Sequence, residues 1–375
     1  MSVGLPELTA LGPALLGVLA LCVCLLVEAL SGGVDTTRRI LPVAAGVLTV
    51  GLGLDLMQLG SPPLEAFVGP LAPSLVADDL ARIASALTAA TALFTLAISV
   101  PYARNAGMAA GEYAALLLTA VVGIQTMVLA ADLMTAFLGL ETLSVVVYAL
   151  TGMRASDRRA SEAALKYFLN GAFATGFVLF GIALLYGATG RLDYAGIAAA
   201  LFEDGPGIQA GYAGVGAALL LIGLGFKISA APFHAWVPDV YEGAATPVTG
   251  FMAVAVKAAA ALVLVRFSVA AAGQTQLEAW VPLLRVLAVA SLVVGNALAL
   301  AQTNIKRLLA YSSIAHVGYA LLGVIAVARG AHEAAGAVLV YLVTYAFATL
   351  AAFGVVTFFE RAGTGVEAER LGAYA

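Results

Sequence analysis

Residues 223–260 read GLGFKISAAPFHAWVPDVYEGAATPVTGFMAVAVKAAA, and the fold follows from this stretch. Lys227 and Lys257 each stand inside an apolar run long enough to cross a bilayer, and Pro232 follows the first lysine by five residues. If the first run spans roughly Ala213 to Trp236, its midpoint falls near residue 224. At ~1.5 Å of rise per residue, Lys227 then lies about 4 Å from the bilayer centre, too deep for its side chain to reach either surface. The second run, roughly Pro247 to Val269, holds Lys257 at its middle. A charge at that depth costs about 3 kcal/mol on insertion scales, so both lysines are expected to face a polar interior with a partner. Pro232 lacks an N–H and its ring crowds the carbonyl of Ile228, which predicts a helix interrupted near Ser229 to Phe233. Irregular backbone at membrane depth survives only where it is buried in protein or lines water, so a broken helix beside a buried lysine points to an ion-translocation site.

Composition agrees. Of 375 residues 62% are hydrophobic and only 11% charged, and the mean hydropathy is +1.01. A soluble globule needs far more polar surface, so the class is all-α, a polytopic transmembrane helical bundle. The net charge of -4 is small and spread along the chain, which argues against a nucleic-acid partner and leaves the lipid bilayer as the surrounding medium. Cys22 and Cys24, the only cysteines, lie in the first apolar run and read as packing residues.

Eleven spans are predicted, near Leu8 to Leu30, Ile40 to Leu59, Leu80 to Val100, Tyr113 to Leu129, Leu133 to Met153, Ala163 to Tyr186, Ala213 to Trp236, Pro247 to Val269, Val281 to Leu300, Leu308 to Ala328 and Ala334 to Phe359. With the N-terminus outside, ten basic residues fall on the cytoplasmic side: Arg38, Arg39, Arg104, Arg154, Arg158, Arg159, Lys306, Arg307, Arg361 and Arg370. Five fall outside: Arg82, Arg191, Arg266, Arg285 and Arg329. That bias predicts N-out topology. Trp280, Tyr102 and Tyr113 stand at predicted span ends, where an aromatic belt would place them.

Glu141 lies about two residues from the centre of the fifth span, with Thr135, Thr142 and Ser144 nearby to hold water. It is either a protonated interhelical carboxyl or, given two mid-depth lysines, their charge partner. His316, beside Ser312 and Ser313, is either a satisfied core residue or the continuation of a polar path. Lys166 is the fourth residue of its predicted span, placed to snorkel to the cytoplasmic interface or to join that path. His234 and Asp239 follow Pro232 near the span end and read as structural. No HExxH, CxxC, Ser-His-Asp or Walker pattern occurs, so the sequence offers no redox or hydrolytic site of its own. Burial disfavours a charged lysine and a nearby carboxylate favours it, so a movable pair could load and release one proton.

The 223–260 stretch, EAALKYFLNGAFATGFVLFGIALLYGATG (162–190) and NIKRLLAYSSIAHVGY (304–319) closely resemble the antiporter-like subunit N family of proton-pumping NADH-quinone oxidoreductase, respiratory complex I. The resemblance implies inverted five-helix repeats, each with one broken helix, and a water-linked chain of lysines and glutamates. By position, Glu141 matches the family's fifth-helix glutamate, Lys227 the lysine of the broken seventh helix and Lys257 the eighth-helix lysine. Lys166 matches a sixth-helix lysine and His316 a tenth-helix histidine. It also implies that NADH, FMN, iron-sulfur clusters and most of the quinone site belong to partner subunits, that neighbouring antiporter-like subunits are the closest partners, and that the chain resides in the cell inner (plasma) membrane. The expected organisation is one transmembrane domain, 1–375, with a first five-helix repeat at about 113–269 and an incomplete second repeat at 281–375. The family continues for about three more helices, so the chain is expected to be truncated or to have those helices on another chain. A cation/proton antiporter subunit, a membrane-bound hydrogenase subunit and a purely structural membrane subunit are the competing readings.

Overall fold

The computed structural model describes residues 8–9, 11–31, 37–68, 72–105, 109–203, 208–272, 280–360, 370 and 372. Arg361, and the side chains of Arg38 and Arg104, lie outside the described residues. The chain forms α1 (Gly12–Leu30), α2 (Thr37–Met57), an antiparallel hairpin of β1 (Leu64–Val68) and β2 (Pro73–Ala77), α3 (Asp79–Asn105), α4 (Ala110–Leu129), α5 (Leu133–Thr151) and α6 (Arg158–Thr189). After these come the short α7 (Tyr194–Glu203), α8 (Ile208–Ile228) and the short α9 (Val237–Gly243). The series ends with α10 (Thr246–Ala271), α11 (Trp280–Ala299), α12 (Ile305–Ala328) and α13 (Ala334–Phe359). Among the described residues, 11 helices are long and apolar enough to cross a membrane.

Helix starts follow capping chemistry. The Asp132 carboxylate accepts from Thr135 N at 2.7 Å ahead of α5, Asp157 from Arg159 N at 2.9 Å ahead of α6, and Asn304 from Lys306 N at 2.9 Å ahead of α12. Each satisfies a backbone donor that a helix leaves open at its first turn. Close approach is set by small residues. A Cβ on Gly123 of α4 would lie 2.8 Å from Leu143 N, and one on Gly139 of α5 would lie 2.6 Å from Met127 N. Only glycine on both helices lets the two backbones meet.

Helix α10 runs through the middle. It packs against α3, α4, α8, α12 and α13, and the most apolar window of the helix is wholly buried. Apolar side chains cover the periphery, among them Leu19 and Leu26 of α1, Phe173 and Phe180 of α6 and Val289 and Val293 of α11. In water such a surface would be prohibitive, whereas lipid accepts it.

Several expectations need correction. The seventh span breaks at Ser229, where the interruption is expected, but no helix resumes within it: α8 ends at Ile228 and the next helix begins at Val237, beyond Trp236. The eighth contains a π-helical turn at Met252–Val256, immediately before Lys257. The hairpin between α2 and α3 adds strand to a chain read as helical throughout. Arg82 donates to the Ser61 and Pro62 carbonyls at 2.7 and 3.0 Å, and Arg266 forms a two-pronged pair with Asp78, anchoring this end of α10 beside the hairpin. Trp280 and Tyr113 are buried rather than interfacial. The Trp280 indole donates to Ser268 at 3.0 Å, and the Tyr113 hydroxyl meets that of Ser99 at 2.6 Å.

Candidate functional site

The backbone of α8 fails in a defined way. Ser229 takes a left-handed φ of 69°, Ala230 N reaches back five residues to Gly225 O at 2.8 Å, and the Ala231–Pro232 peptide is cis. The Ala231 N–H, which a continuous helix would satisfy internally, donates instead to Ser291 Oγ of α11 at 2.9 Å. Helical geometry resumes at Val237. The interruption is thus longer than the expected Ser229 to Phe233, and a neighbouring helix pays for one of its lost bonds.

Lys227 occupies the last turn before this break with only 3% of its surface exposed. Its Nζ donates to Ser144 Oγ of α5 at 2.8 Å and stands 5.7 and 5.6 Å from the ring centres of Tyr148 and Tyr167. Among the described residues, no carboxylate lies within 4 Å of it. A cavity about one water in size adjoins it, bordered by Ser144, Tyr148, Thr175 and Phe226.

Glu141 is half-buried on α5, and its Oε1 accepts from Thr175 Oγ1 of α6 at 2.7 Å. The hydroxyls expected to hold water around it are otherwise engaged: Thr135 bonds the Asp132 carboxylate, exposed Thr142 bonds Leu138 O, and Ser144 serves Lys227. Thr175 borders the Lys227 cavity, so its hydroxyl links the Glu141 carboxylate to the lining of that cavity, which Glu141 itself does not reach.

Lys257 is 4% exposed, and its Nζ donates to Ser313 Oγ of α12 at 2.7 Å, 5.7 Å from the Tyr241 ring centre. The adjoining cavity has room for one or two waters and reaches His316, Tyr341 and Tyr345. His316 Nδ1 lies 2.6 Å from Tyr341 Oη. Ile228, the neighbour of Lys227, lines this cavity too, so the end of α8 borders both lysine cavities.

Lys166 stands eight residues after Arg158, the first residue of α6, with its side chain partly exposed. Its Nζ holds Asp239 Oδ2 of α9 at 2.8 Å and Glu162 at 2.7 Å. Asp239 Oδ1 accepts from Arg307 of α12 at 2.8 Å, and Arg307 also reaches Glu242 at 3.0 Å. Burial alone would push the Asp239 carboxyl up, but the Lys166 and Arg307 hydrogen bonds outweigh it and hold the group below the ordinary carboxylate range. Lys306, counted from sequence as a loop charge, is buried and donates to Glu242 O and Ala244 O at 2.9 and 2.8 Å, while Arg154 donates to Gly243 O at 2.8 Å. Two cations therefore grip the carboxylates of α9 and two more cap its C-terminal carbonyls, where the helix dipole favours positive charge. Arg159, Glu162, Lys166, Asp239 and Glu242 line a polar cleft of about 210 Å³ over this half-helix. The sequence shows Asp239 only as a structural helix-end residue and Lys306 and Arg307 as cytoplasmic loop charges, and Glu242 does not stand out, because charges beside a span end look like solvated loop residues. The available signal was spacing: Asp239 and Glu242 lie three apart and so face one way on a single helical turn.

Among the described residues no group of three or more His, Cys, Asp or Glu could hold a metal ion. What the arrangement can do is hold, exchange and pass protons between buried amines, hydroxyls and carboxylates.

A lipid-faced helical bundle with a broken helix next to a buried lysine, and a second buried lysine beyond the break, defines an antiporter-like membrane protein. Residues 130–371 match the family model described as NADH:quinone oxidoreductase/Mrp antiporter, TM. NADH-quinone oxidoreductase subunit N 2 of Roseiflexus castenholzii is 42% identical over 329 residues, covering 86% of this chain and 64% of that protein. Subunit N of Magnetococcus marinus is 40% identical over 347 residues, 92% of this chain and 69% of that protein. In the solved structure of respiratory complex I from Thermus thermophilus with bound aureothin, one chain is 36% identical and superposes with a TM-score of 0.72, covering 91% of this chain and 70% of that one. This chain thus spans about two-thirds of the length of these relatives. The chain belongs to the NADH:quinone oxidoreductase/Mrp antiporter membrane family, among its NADH-quinone oxidoreductase subunit N members.

Proposed function

We propose that this chain is a proton-translocating membrane subunit of an NADH-quinone oxidoreductase, in which Glu141, Lys227 and Lys257 carry the proton relay and His316 extends it. The carrying observation is the pair of deeply buried lysines, each with a hydroxyl as its hydrogen-bonded partner, on the two sides of one helix break. A buried ammonium with only a neutral partner is costly to keep charged, so its charge can be changed by a modest shift of a carboxylate. Glu141, linked to the Lys227 cavity through the Thr175 hydroxyl, supplies that carboxylate. Lys166 serves the relay from outside, by holding α9. The electrons, the NADH, FMN, iron-sulfur and quinone chemistry belong in this reading to partner subunits, with neighbouring antiporter-like subunits transmitting the coupling.

In the same reading the chain lies in the cell inner membrane with its N-terminus outside, and Tyr113 to Val269 forms a five-helix repeat whose inverted counterpart begins near Val281. The experiment is a Lys227→Met substitution in the complete membrane complex, with quinone reduction and proton pumping measured together in sealed vesicles. Pumping should fall while the complex still assembles. Full pumping with both Lys227 and Lys257 neutralised would overturn the relay and leave a structural role.

A further inference from the structure

The cleft over α9 and the cavity at Lys227 are separate spaces, and the residues between them are aromatic. On α6 the cleft is lined by Ala163 and Lys166, and the Lys227 cavity by Gly171 and Ala174. Tyr167 falls between, four residues from Ala163 and four from Gly171, hence on the same face of α6. Its ring stacks on Trp236 with centres 4.3 Å apart and planes 9° from parallel, and Trp236 leads directly into α9. Phe226, the residue before Lys227, closes the group with its ring 5.0 Å from Trp236. The Tyr167 hydroxyl and the Trp236 indole N–H are both buried without a hydrogen-bond partner, polar atoms in an apolar plug that would each gain by meeting water.

The same two helices are joined a second time. Tyr167 is the neighbour of Lys166, and Trp236 stands three residues before Asp239, so the Lys166–Asp239 ion pair and the Tyr167–Trp236 stack tie α6 to α9 at adjacent points. Arg307 holds the other oxygen of Asp239 from α12. We propose that the Tyr167–Trp236 stack is a gate between the polar cleft and Lys227, and that Asp239, held by Lys166 and Arg307, is the latch that keeps it closed. When Asp239 is released, the N-terminal end of α9 loses its tie to α6 while Lys306 and Arg154 still hold its C-terminal end, so Trp236 can swing off Tyr167 and water from the cleft reaches the lysine. The gate rests on the proton-relay reading for its purpose, but its existence is a question of access and can be tested apart from transport. Asp239 is a positioning residue here, because it acts on Lys227 through α9 and touches no transported proton.

The test is made in the complete complex in vesicles, with Lys227→Cys and a small cationic methanethiosulfonate reagent added from the cleft side. Modification at position 227 is read by mass spectrometry. It should be slow in the otherwise native chain and about two- to fivefold faster with Asp239→Asn, the range set by losing partly exposed ion pairs. Asp239→Glu should return it to the slow rate, and Tyr167→Ala should give fast modification whatever stands at 239. Backbone hydrogen exchange at residues 226–231, measured with Lys227 intact, should follow the same order. Equal rates in the native, Asp239→Asn and Tyr167→Ala backgrounds would overturn the gate. Acceleration by Tyr167→Ala alone would overturn the latch. A correct order of labelling together with full pumping by Lys227→Met would instead count against the relay and leave the gate standing.

Discussion

The Lys227 ammonium donates to Ser144 Oγ at 2.8 Å, and Ser144 stands three residues after Glu141 on the same helix. The lysine is therefore held one step short of the carboxylate that would stabilise its charge. A direct ion pair at this depth would fix the proton, since breaking a buried pair is strongly unfavourable. A hydroxyl can accept from the ammonium, donate to the neutral amine, and hand over without that cost.

The first prediction concerns this hydroxyl. Ser144→Ala should slow proton pumping while quinone reduction and assembly persist, because a hydrogen bond to a charged group is worth about 1.5–3 kcal/mol and is lost whenever Lys227 is protonated. Simultaneous dye-quenching and quinone-reductase assays on the variant decide it. Unchanged pumping would mean that Ser144 is a packing residue.

A second prediction separates charge from exchange. Lys227→Arg keeps a cation at the break but should abolish pumping as Lys227→Met does, because guanidinium does not release its proton at accessible pH. Normal pumping by the arginine variant, measured in the same vesicles, would sink the idea that this residue is loaded and unloaded.

These two rest on residues that the sequence exposes openly. Lys227, Lys257 and Pro232 stand out because an apolar run makes any charge or helix breaker conspicuous, and the span count followed from the same contrast. The clamp on α9 was not legible, since Lys306, Arg307, Asp239 and Glu242 sit where charges ordinarily meet solvent, and only the fold turns them toward one half-helix. The π-helical turn before Lys257 has no periodic pattern to betray it in the uniformly apolar MAVAV. Strands LEAFV and PSLVA are short enough to vanish in a loop beside strongly apolar spans.

A third prediction fixes the pH behaviour of the latch. The Asp239 carboxyl is held below its ordinary value, so its contribution is fully present above about pH 4 and is lost as pH falls through the lower folded value. Asp239→Asn should accordingly lower the melting temperature of the purified complex at neutral pH, and the difference from the native chain should shrink only in strong acid. With the pair partly exposed, the loss should amount to less than about 1 kcal/mol. A difference that disappears already between about pH 6 and pH 8 would contradict the pairing.

A fourth prediction tests helix contact. Gly123→Ala puts a Cβ against Leu143 N at 2.8 Å and Gly139 O at 3.0 Å, backbone atoms that cannot rotate away. Helices α4 and α5 must then part, at about 1–3 kcal/mol. Thermal unfolding in detergent should show the loss, whereas alanine at Gly176, a helix-interior position with open space around its Cβ, should hold or raise stability.

The last prediction concerns the break itself. Ser291 Oγ is the acceptor for the Ala231 N–H, a donor freed because the chain leaves helical geometry at Ser229. Ser291→Ala removes the acceptor and strands that N–H in a buried site, at about 1–3 kcal/mol. Ser291→Thr keeps a hydroxyl and should recover most of the loss. If the break is held open by α11 in this way, hydrogen exchange at residue 231 should quicken in the alanine variant and remain slow in the threonine variant, with pumping following the same order. Equal protection in both would show that the neighbouring helix is a bystander and that the break is fixed by Pro232 and its own backbone alone.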